Sequence, residues 1–151
     1  MEAATGTRGA SWWSEATTLQ RGVLVLSVVN TAWSVAGLIA NPDFATGDAA
    51  TSVQVLGVDF NGWHALSGIL AFAPGILIAR SDELSRLYVI ALIPIGFVAP
   101  GIWALVDTQP MGIWPFEHNE ADAVLHLANG VVYTALLLYT ERERRRARAS
   151  G

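Results

Sequence analysis

The sequence contains no cysteine and no lysine, and only 15% of its 151 residues are charged. Without cysteine the chain can form no disulfide framework, no thiolate zinc site and no thiol nucleophile. Such sparse charge, together with 52% hydrophobic residues and a mean hydropathy of +0.40, excludes an ordinary soluble domain and predicts a single membrane domain. The first residues also lack the basic and then apolar order of a secretory signal, so we expect them to form a retained tail.

Four apolar runs follow one another along the chain and are separated by polar segments. They cover about residues 22–40, 63–79, 87–106 and 121–140. Each is close to the roughly 20 residues that cross a hydrocarbon core of about 30 Å. The sequence therefore predicts an all-α fold, an integral membrane four-helix antiparallel bundle over residues 21–140. Pro94 and Pro100 predict a bent third span, and segment 41–62 is compatible with either a short strand or a stretch lying on the membrane surface.

All the basic residues are arginines, and they cluster in three of the five polar segments. They are Arg8, Arg21, Arg80, Arg86, Arg142, Arg144, Arg145, Arg146 and Arg148. Four spans place these three segments on one side, and basic segments are retained in the cytoplasm. We therefore predict a multi-pass protein of the inner (cytoplasmic) membrane with both termini cytoplasmic.

The two tails are interpreted in the same way. Residues 1–20 form a cytoplasmic tail in which Trp12 and Trp13 make an interfacial pair. Residues 141–151 form a basic cytoplasmic tail. Because this run of arginines follows a span directly, it indicates topology and contact with lipid headgroups, and not nucleic-acid binding.

Polar residues recur at helical spacing on the predicted spans. Spans two and four both begin with a polar turn and then His-x-x-x-Gly, at His64 and at His126, which suggests two repeated helical hairpins related by an axis along the membrane normal. In span four, polar residues recur at steps of four, three and four, so a helix aligns them on one face that should point toward protein. The predicted interior polar stripe consists of Asn30, Asn61, Asp122, Asn129 and Tyr133.

Several of these motifs together resemble a known family. Asn119-x-x-Asp-x-x-x-His-x-x-x-Gly130 opens the last span, Leu-Gly-Val-Asp-Phe-Asn precedes His64, and a short arginine-bearing loop joins spans two and three. Over about Gly57 to Thr140 this pattern resembles the bacterial four-helix membrane family catalogued as domain-of-unknown-function family 4383. The resemblance implies the membrane architecture but no activity. The family has a second histidine one turn further into span two, where this chain has Gly68, and this departure weakens any haem or metal site that needs the extra imidazole.

The polar stripe has a structural interpretation and two functional ones. In the structural one, Asn61 and Asn119 are helix N-caps and the histidines hydrogen-bond between helices. In the second, His64 and His126 bind a haem iron or, together with Asp122, Glu117 or His118, a divalent metal. His118, Asp122 and His126 could also hold that metal from one helix face, since they lie four residues apart. In the third, the polar interior carries protons or a small ligand, as in a small transporter.

No catalytic motif is present, so the sequence does not predict an enzyme. The predicted function is a small structural or accessory membrane protein, without a cofactor, that associates with itself or with a larger membrane complex. Its expected partners are the lipid bilayer and other copies or subunits, and not nucleic acid. The alternatives are a haem- or metal-binding protein of electron transfer or sensing, and a small transporter or proton pathway.

Overall fold

The computed structural model describes residues 11–107, 113 and 120–151, and this part of the chain is mostly helical. The helices are α1 (Trp12–Glu15), α2 (Thr18–Ala40), α3 (Gly62–Ile78), α4 (Asp82–Leu92), α5 (Ala99–Val106) and α6 (Glu120–Ala149). A π-helical segment, Ile93–Val98, joins α4 to α5. Strands β1 (Val53–Val55) and β2 (Val58–Phe60) form a hairpin between α2 and α3.

Three helical stretches in the described part of the chain are long and apolar enough to cross a membrane. They are Thr18–Ala40, Asp82–Val106 and Glu120–Ala149. Helix α3 is also apolar but shorter, with 17 residues. These helices indicate a multi-pass membrane protein, which agrees with the sequence prediction at this level.

The helix ends differ from the predicted span ends for local reasons. Helix α2 begins at Thr18 because Thr17 and Gln20 form a capping box in which each side chain bonds the other's backbone N–H. The third stretch begins at Asp82, earlier than predicted, because the Ser81 hydroxyl accepts a hydrogen bond from the Leu84 N–H at 3.3 Å. Helix α6 does not end with its apolar part but continues through the basic tail to Ala149.

The helices pack so that their polar ends sort into two groups. Helix α2 packs along α3, and α6 packs along the π-helical segment and α5. Thr17 Oγ1 donates a hydrogen bond to Asp82 Oδ1 at 2.9 Å, and Arg144 forms an ion pair with the other oxygen of Asp82. The starts of α2 and α4 and the last turns of α6 therefore lie together at what we call the arginine end. The hairpin and the starts of α3 and α6 lie at the other end, the hairpin end.

The hairpin adds a small two-stranded sheet to the mostly helical fold and shows that segment 41–62 contains strands. Leu56 and Gly57 form its turn with φ of 54° and 83°, and two successive positive φ values are what tight hairpin turns require. Val58 and Phe60 are buried and pack with Ala65 of α3 and Trp33 of α2. Strand β2 is therefore part of the packed interior, where Val58 and Phe60 supply apolar surface, whereas β1 lies on the outer side of the hairpin with Val53 and Gln54 exposed.

Two glycines of the His-x-x-x-Gly motifs lie at close helix contacts. A Cβ at Gly68 would collide with Ser34 Oγ of α2, and a Cβ at Gly130 would lie 3.1 Å from the Cβ of Phe97. Small residues at these two crossings let the backbones approach closely, which is how helices pack in lipid. These contacts hold α3 close to α2 and α6 close to the π-helical segment.

Candidate metal centre

Three side chains from α3 and α6 meet at the hairpin end. Asp122 Oδ1 lies 3.6 Å from Nε2 of His64 and 3.6 Å from Nε2 of His126. One ligand atom of each side chain lies within 4.8 Å of the other two. The imidazole rings are close to parallel, with centroids 6.2 Å apart. Two nitrogens and a carboxylate oxygen thus point at a common position.

The other nitrogen of each imidazole bonds a backbone carbonyl. His64 Nδ1 lies 2.7 Å from the carbonyl oxygen of Asp59, and His126 Nδ1 lies 2.9 Å from that of Gly96. A carbonyl oxygen can only accept, so both Nδ1 atoms carry the hydrogen, and a neutral ring then keeps its lone pair on Nε2. This is the arrangement that fixes the tautomer and orientation of a metal-binding histidine.

The carbonyl that His126 contacts is exposed by the irregular part of the third stretch. In an α-helix, the Gly96 oxygen would accept from the N–H of residue 100, but Pro100 has no N–H. The chain around it is π-helical over Ile93–Val98, and π-helical turns often occur at functional sites. The predicted bend is therefore a local change of hydrogen bonding, and His126 Nδ1 donates to the Gly96 oxygen, which lacks its α-helical donor.

Local structure at the start of α3 holds His64 in position. Asn61 caps the helix by accepting from the His64 N–H at 2.9 Å, and its own Nδ2 donates to the carbonyl of Ile113 at 2.8 Å. The ring of Phe60 stacks on the imidazole with centroids 4.6 Å apart. Because the preceding strand ends at Phe60, the hairpin supplies both the stacking ring and the Asp59 carbonyl.

Asp122 is the buried charge of this cluster, with 2% of its surface exposed. Among the described residues, neither of its carboxylate oxygens has a hydrogen-bond partner. An ionised carboxylate in an apolar interior costs several kcal/mol unless it is paired or coordinates a metal. Since the two imidazoles present acceptors toward it, the cluster has the chemistry of a cation site.

Three residues of the predicted stripe lie further from the hairpin end, Asn30 on α2 and Asn129 and Tyr133 on α6. Asn30 is buried, donates to the Leu26 carbonyl at 2.8 Å and reaches Asn129 Oδ1 at 3.5 Å. Asn129 donates to the Leu125 carbonyl at 3.1 Å. Tyr133 is fully buried and stacks on Phe97 with centroids 5.1 Å apart. Each asparagine is thus tied chiefly to a carbonyl of its own helix, and the five stripe residues face the interior.

The structure brings together one of the ligand sets that the sequence offered, namely the two histidines with Asp122. The other set, His118, Asp122 and His126 on one helix face, cannot be followed because His118 lies outside the described residues. The carbonyls of Asp59 and Gly96 were not predicted. The spacing Gly96-x-x-x-Pro100 is a sequence signal for a released carbonyl, whereas the contact with Asp59 depends on the hairpin.

Comparison with known proteins returns one family. A family model described as a domain of unknown function (DUF4383) matches residues 20–139, which confirms the resemblance seen in the sequence and extends it to the first span. No curated protein and no solved structure matches the chain. Because the match covers most of the sequence, the chain belongs to the DUF4383 family.

Proposed function

We propose that this chain is a membrane protein that binds one divalent transition-metal ion through His64, Asp122 and His126. The observation that carries the proposal is the buried Asp122 carboxylate, equidistant from two imidazole nitrogens and without a hydrogen-bond partner in the described part of the chain. Two imidazoles and one carboxylate are a donor set that suits Zn²⁺, Fe²⁺ and neighbouring metals. Of the functions predicted from the sequence, this geometry favours the metal-binding alternative.

The distances support a single ion at this position. Tetrahedral zinc holds nitrogen and oxygen ligands at about 2.0–2.2 Å, which sets the ligand atoms roughly 3.4 Å from one another. The observed separations of 3.6 Å from Asp122 Oδ1 to each Nε2 need only a small contraction. They exceed the usual length of an N–H···O hydrogen bond, about 2.7–3.2 Å, so direct bonding between imidazole and carboxylate is the poorer interpretation.

The same distances speak against the haem alternative. Two axial imidazoles of a haem face each other across the porphyrin plane, and the macrocycle fills that plane around the iron. A carboxylate oxygen 3.6 Å from both nitrogens would lie inside the macrocycle. A small ion avoids this conflict because the carboxylate becomes one of its ligands.

The number of protein ligands has a functional consequence. Three protein ligands leave a fourth position on a tetrahedral ion, which is the pattern of zinc sites that bind water or a substrate and not of purely structural sites. An accessory or scaffolding role would not require a buried carboxylate between two imidazoles. A proton pathway would require polar groups that continue across the interior, whereas Asn30 and Asn129 bond mainly to their own helices.

Metal loading tests the proposal directly. Full-length protein purified in mild detergent, incubated with Zn²⁺ and dialysed, is expected to retain about one ion per chain in elemental analysis, because the three ligands belong to one site. The same assay with Fe²⁺ and Mn²⁺ establishes the preferred metal. Retention of none of the three metals above the level of a chelator-treated sample would contradict the proposal.

We further propose that α3 is a fourth span and that both termini are cytoplasmic in the inner membrane. The 17 residues of α3 are at the short end of the range for a span, and Arg21, Arg80 and Arg144 belong to the helix ends that gather at the arginine end. The hairpin end, with the metal site, would then face outward. Self-association or docking on a larger membrane complex stays a prediction and is compatible with this topology.

The absence of native cysteine makes this topology easy to test. Gln54→Cys at the hairpin end and Ser150→Cys in the tail each introduce one thiol at an exposed position. In intact cells, a membrane-impermeant maleimide is expected to label the first variant and not the second, because the two ends lie on opposite sides of the bilayer. Permeabilised cells, in which both should react, provide the control. Labelling of both variants in intact cells, or of the tail alone, would contradict the proposal.

A further inference from the structure

A cavity of about 550 Å³ lies beside the proposed metal site. His64, Asp122 and His126 are part of its lining, together with other polar side chains such as Asn30, Ser67 and Asn129. Most of the remaining wall is apolar and includes Phe72, Leu92 and other hydrophobic residues from α2, α3, α4, α5 and α6. The volume is within the range of about 300–1,000 Å³ that is typical of sites for small organic molecules.

The cavity is open sideways between two helical stretches. Ala91, Ile95 and Ala99 recur every fourth residue, so they form one stripe, and all three both line the cavity and are exposed. Ile95 retains 75% of its accessible surface. Helix α3 contacts α4, whereas in the described chain its contacts with residues 93–106 are sparse. The opening is therefore a slot along apolar helices, at the depth where lipid would surround them.

We propose that this slot admits an apolar molecule from the lipid phase whose single oxygen-bearing head group reaches the fourth position of the metal ion. The inference rests on the proposed metal site for the contact with the head group. The apolar part of this molecule would lie between α3 and the stripe of Ala91, Ile95 and Ala99. An oxygen ligand completes the coordination that His64, Asp122 and His126 leave open.

The lining restricts the class of molecule. None of the described residues that line the cavity is an arginine, so the site offers no guanidinium fork for the phosphate of a phospholipid. An apolar wall along the slot matches an alkyl or isoprenoid chain, which leaves the bilayer without entering water. The head group that fits the metal carries a hydroxyl or a carboxyl oxygen. A long-chain alcohol would bring a neutral head group and a fatty acid a negatively charged one.

Photolabelling distinguishes this site from general lipid contact. Zn²⁺-loaded protein in detergent is irradiated with a diazirine-bearing long-chain alcohol or with the corresponding fatty acid, and labelled peptides are identified by mass spectrometry. We expect preferential labelling of the peptide that carries Ala91 and Ala99 with at least one of the probes. Ala91→Phe and Ala99→Phe, which each add a ring at the slot, are expected to reduce that labelling at least about five-fold.

The control places the same substitution on a lipid-facing surface. Ala36 of α2 is exposed and does not line the cavity, so Ala36→Phe is expected to leave labelling unchanged. Equal labelling of the three Phe variants, or labelling spread evenly over all apolar helices, would overturn the inference. If both slot variants retain Zn²⁺ but their labelling is not reduced, the proposed lipid-phase ligand is contradicted. The proposed metal site is not contradicted by that result. Slot-specific labelling in a protein that binds no metal would overturn the metal contact of the head group as well as the proposed function.

Discussion

Replacing His126 with alanine is expected to lower the affinity for Zn²⁺ by on the order of 100-fold or more. Its Nε2 is one of three converging ligand atoms, and loss of even an outer hydrogen-bond partner of a ligand typically costs about 10- to 100-fold. His64→Ala should have a similar effect, because its nitrogen lies at the same distance from Asp122. Competition with a chromogenic zinc chelator, in detergent and at constant pH, measures these affinities.

Asp122→Asn is expected to change metal affinity and stability in opposite directions. The substitution removes the charge that a cation requires, so Zn²⁺ affinity should fall at least as much as in His126→Ala. In the metal-free protein it also removes a buried carboxylate that has no hydrogen-bond partner among the described residues, and a neutral amide is cheaper to bury. The midpoint of thermal unfolding of the metal-free variant should therefore equal or exceed that of the metal-free parent.

Two further variants show whether the loss is specific. Asn30→Ala changes a buried polar residue of the same cavity that is not a predicted ligand, and we expect it to retain the parental affinity. His118→Ala tests the remaining ligand of the set predicted from the sequence. Parental affinity in both His126→Ala and Asp122→Asn would contradict the metal site, because no two-ligand remainder of this cluster could hold the ion equally well.

Pro100→Ala is expected to weaken Zn²⁺ binding by about 10-fold, the lower end of the effect of outer hydrogen-bond partners. The new N–H of residue 100 can donate to the Gly96 carbonyl, as in a regular α-helix. It would then compete with His126 Nδ1, which now bonds that oxygen at 2.9 Å. Weaker anchoring lets the imidazole rotate away from the direction of the metal.

The matched control for Pro100→Ala is Pro74→Ala. Pro74 also lies inside a helix but is exposed, and the carbonyl four residues before it belongs to Leu70, which contacts neither histidine in the described structure. We expect this variant to bind Zn²⁺ as the parent does. If the two proline variants shift the affinity equally, the effect arises from helix stiffness and not from the Gly96 carbonyl.

These predictions depend on different parts of the chain. The ligand variants test the three side chains themselves, whereas Pro100→Ala tests a backbone group on another helix that orients one of them. The Pro100→Ala variant keeps all three ligands, so it should still bind Zn²⁺ at high metal concentration. We therefore expect its affinity for Zn²⁺ to fall, while the number of ions bound per chain stays the same. The ligand variants thus measure how much each ligand contributes to metal affinity, and Pro100→Ala measures how much the fixed orientation of His126 contributes.

The sequence by itself determined the mostly helical fold, the presence of helices long and apolar enough to cross a membrane, and the family. Hydrophobic run lengths and the fourfold spacing of Asp122 and His126 are properties of one segment at a time, and helix geometry translates them directly into spans and faces. The N-cap at Asn61 is local in the same sense, and it was predicted correctly because its hydrogen bond spans only three residues.

Only the tertiary structure decided which of the predicted ligands meet. Whether His126 is closer to His64 or to other polar residues depends on how α3 packs on α2 and how α6 packs on the third stretch, and the close approaches at Gly68 and Gly130 belong to these two contacts. The hairpin was undecided in the sequence because a short run of alternating valines suits a strand or a membrane surface equally well until a partner strand buries it. Pro100 marks the Gly96 carbonyl in the sequence as lacking its α-helical donor, but which side chain bonds it, and the contact of His64 with the Asp59 carbonyl, are decided by the packed fold.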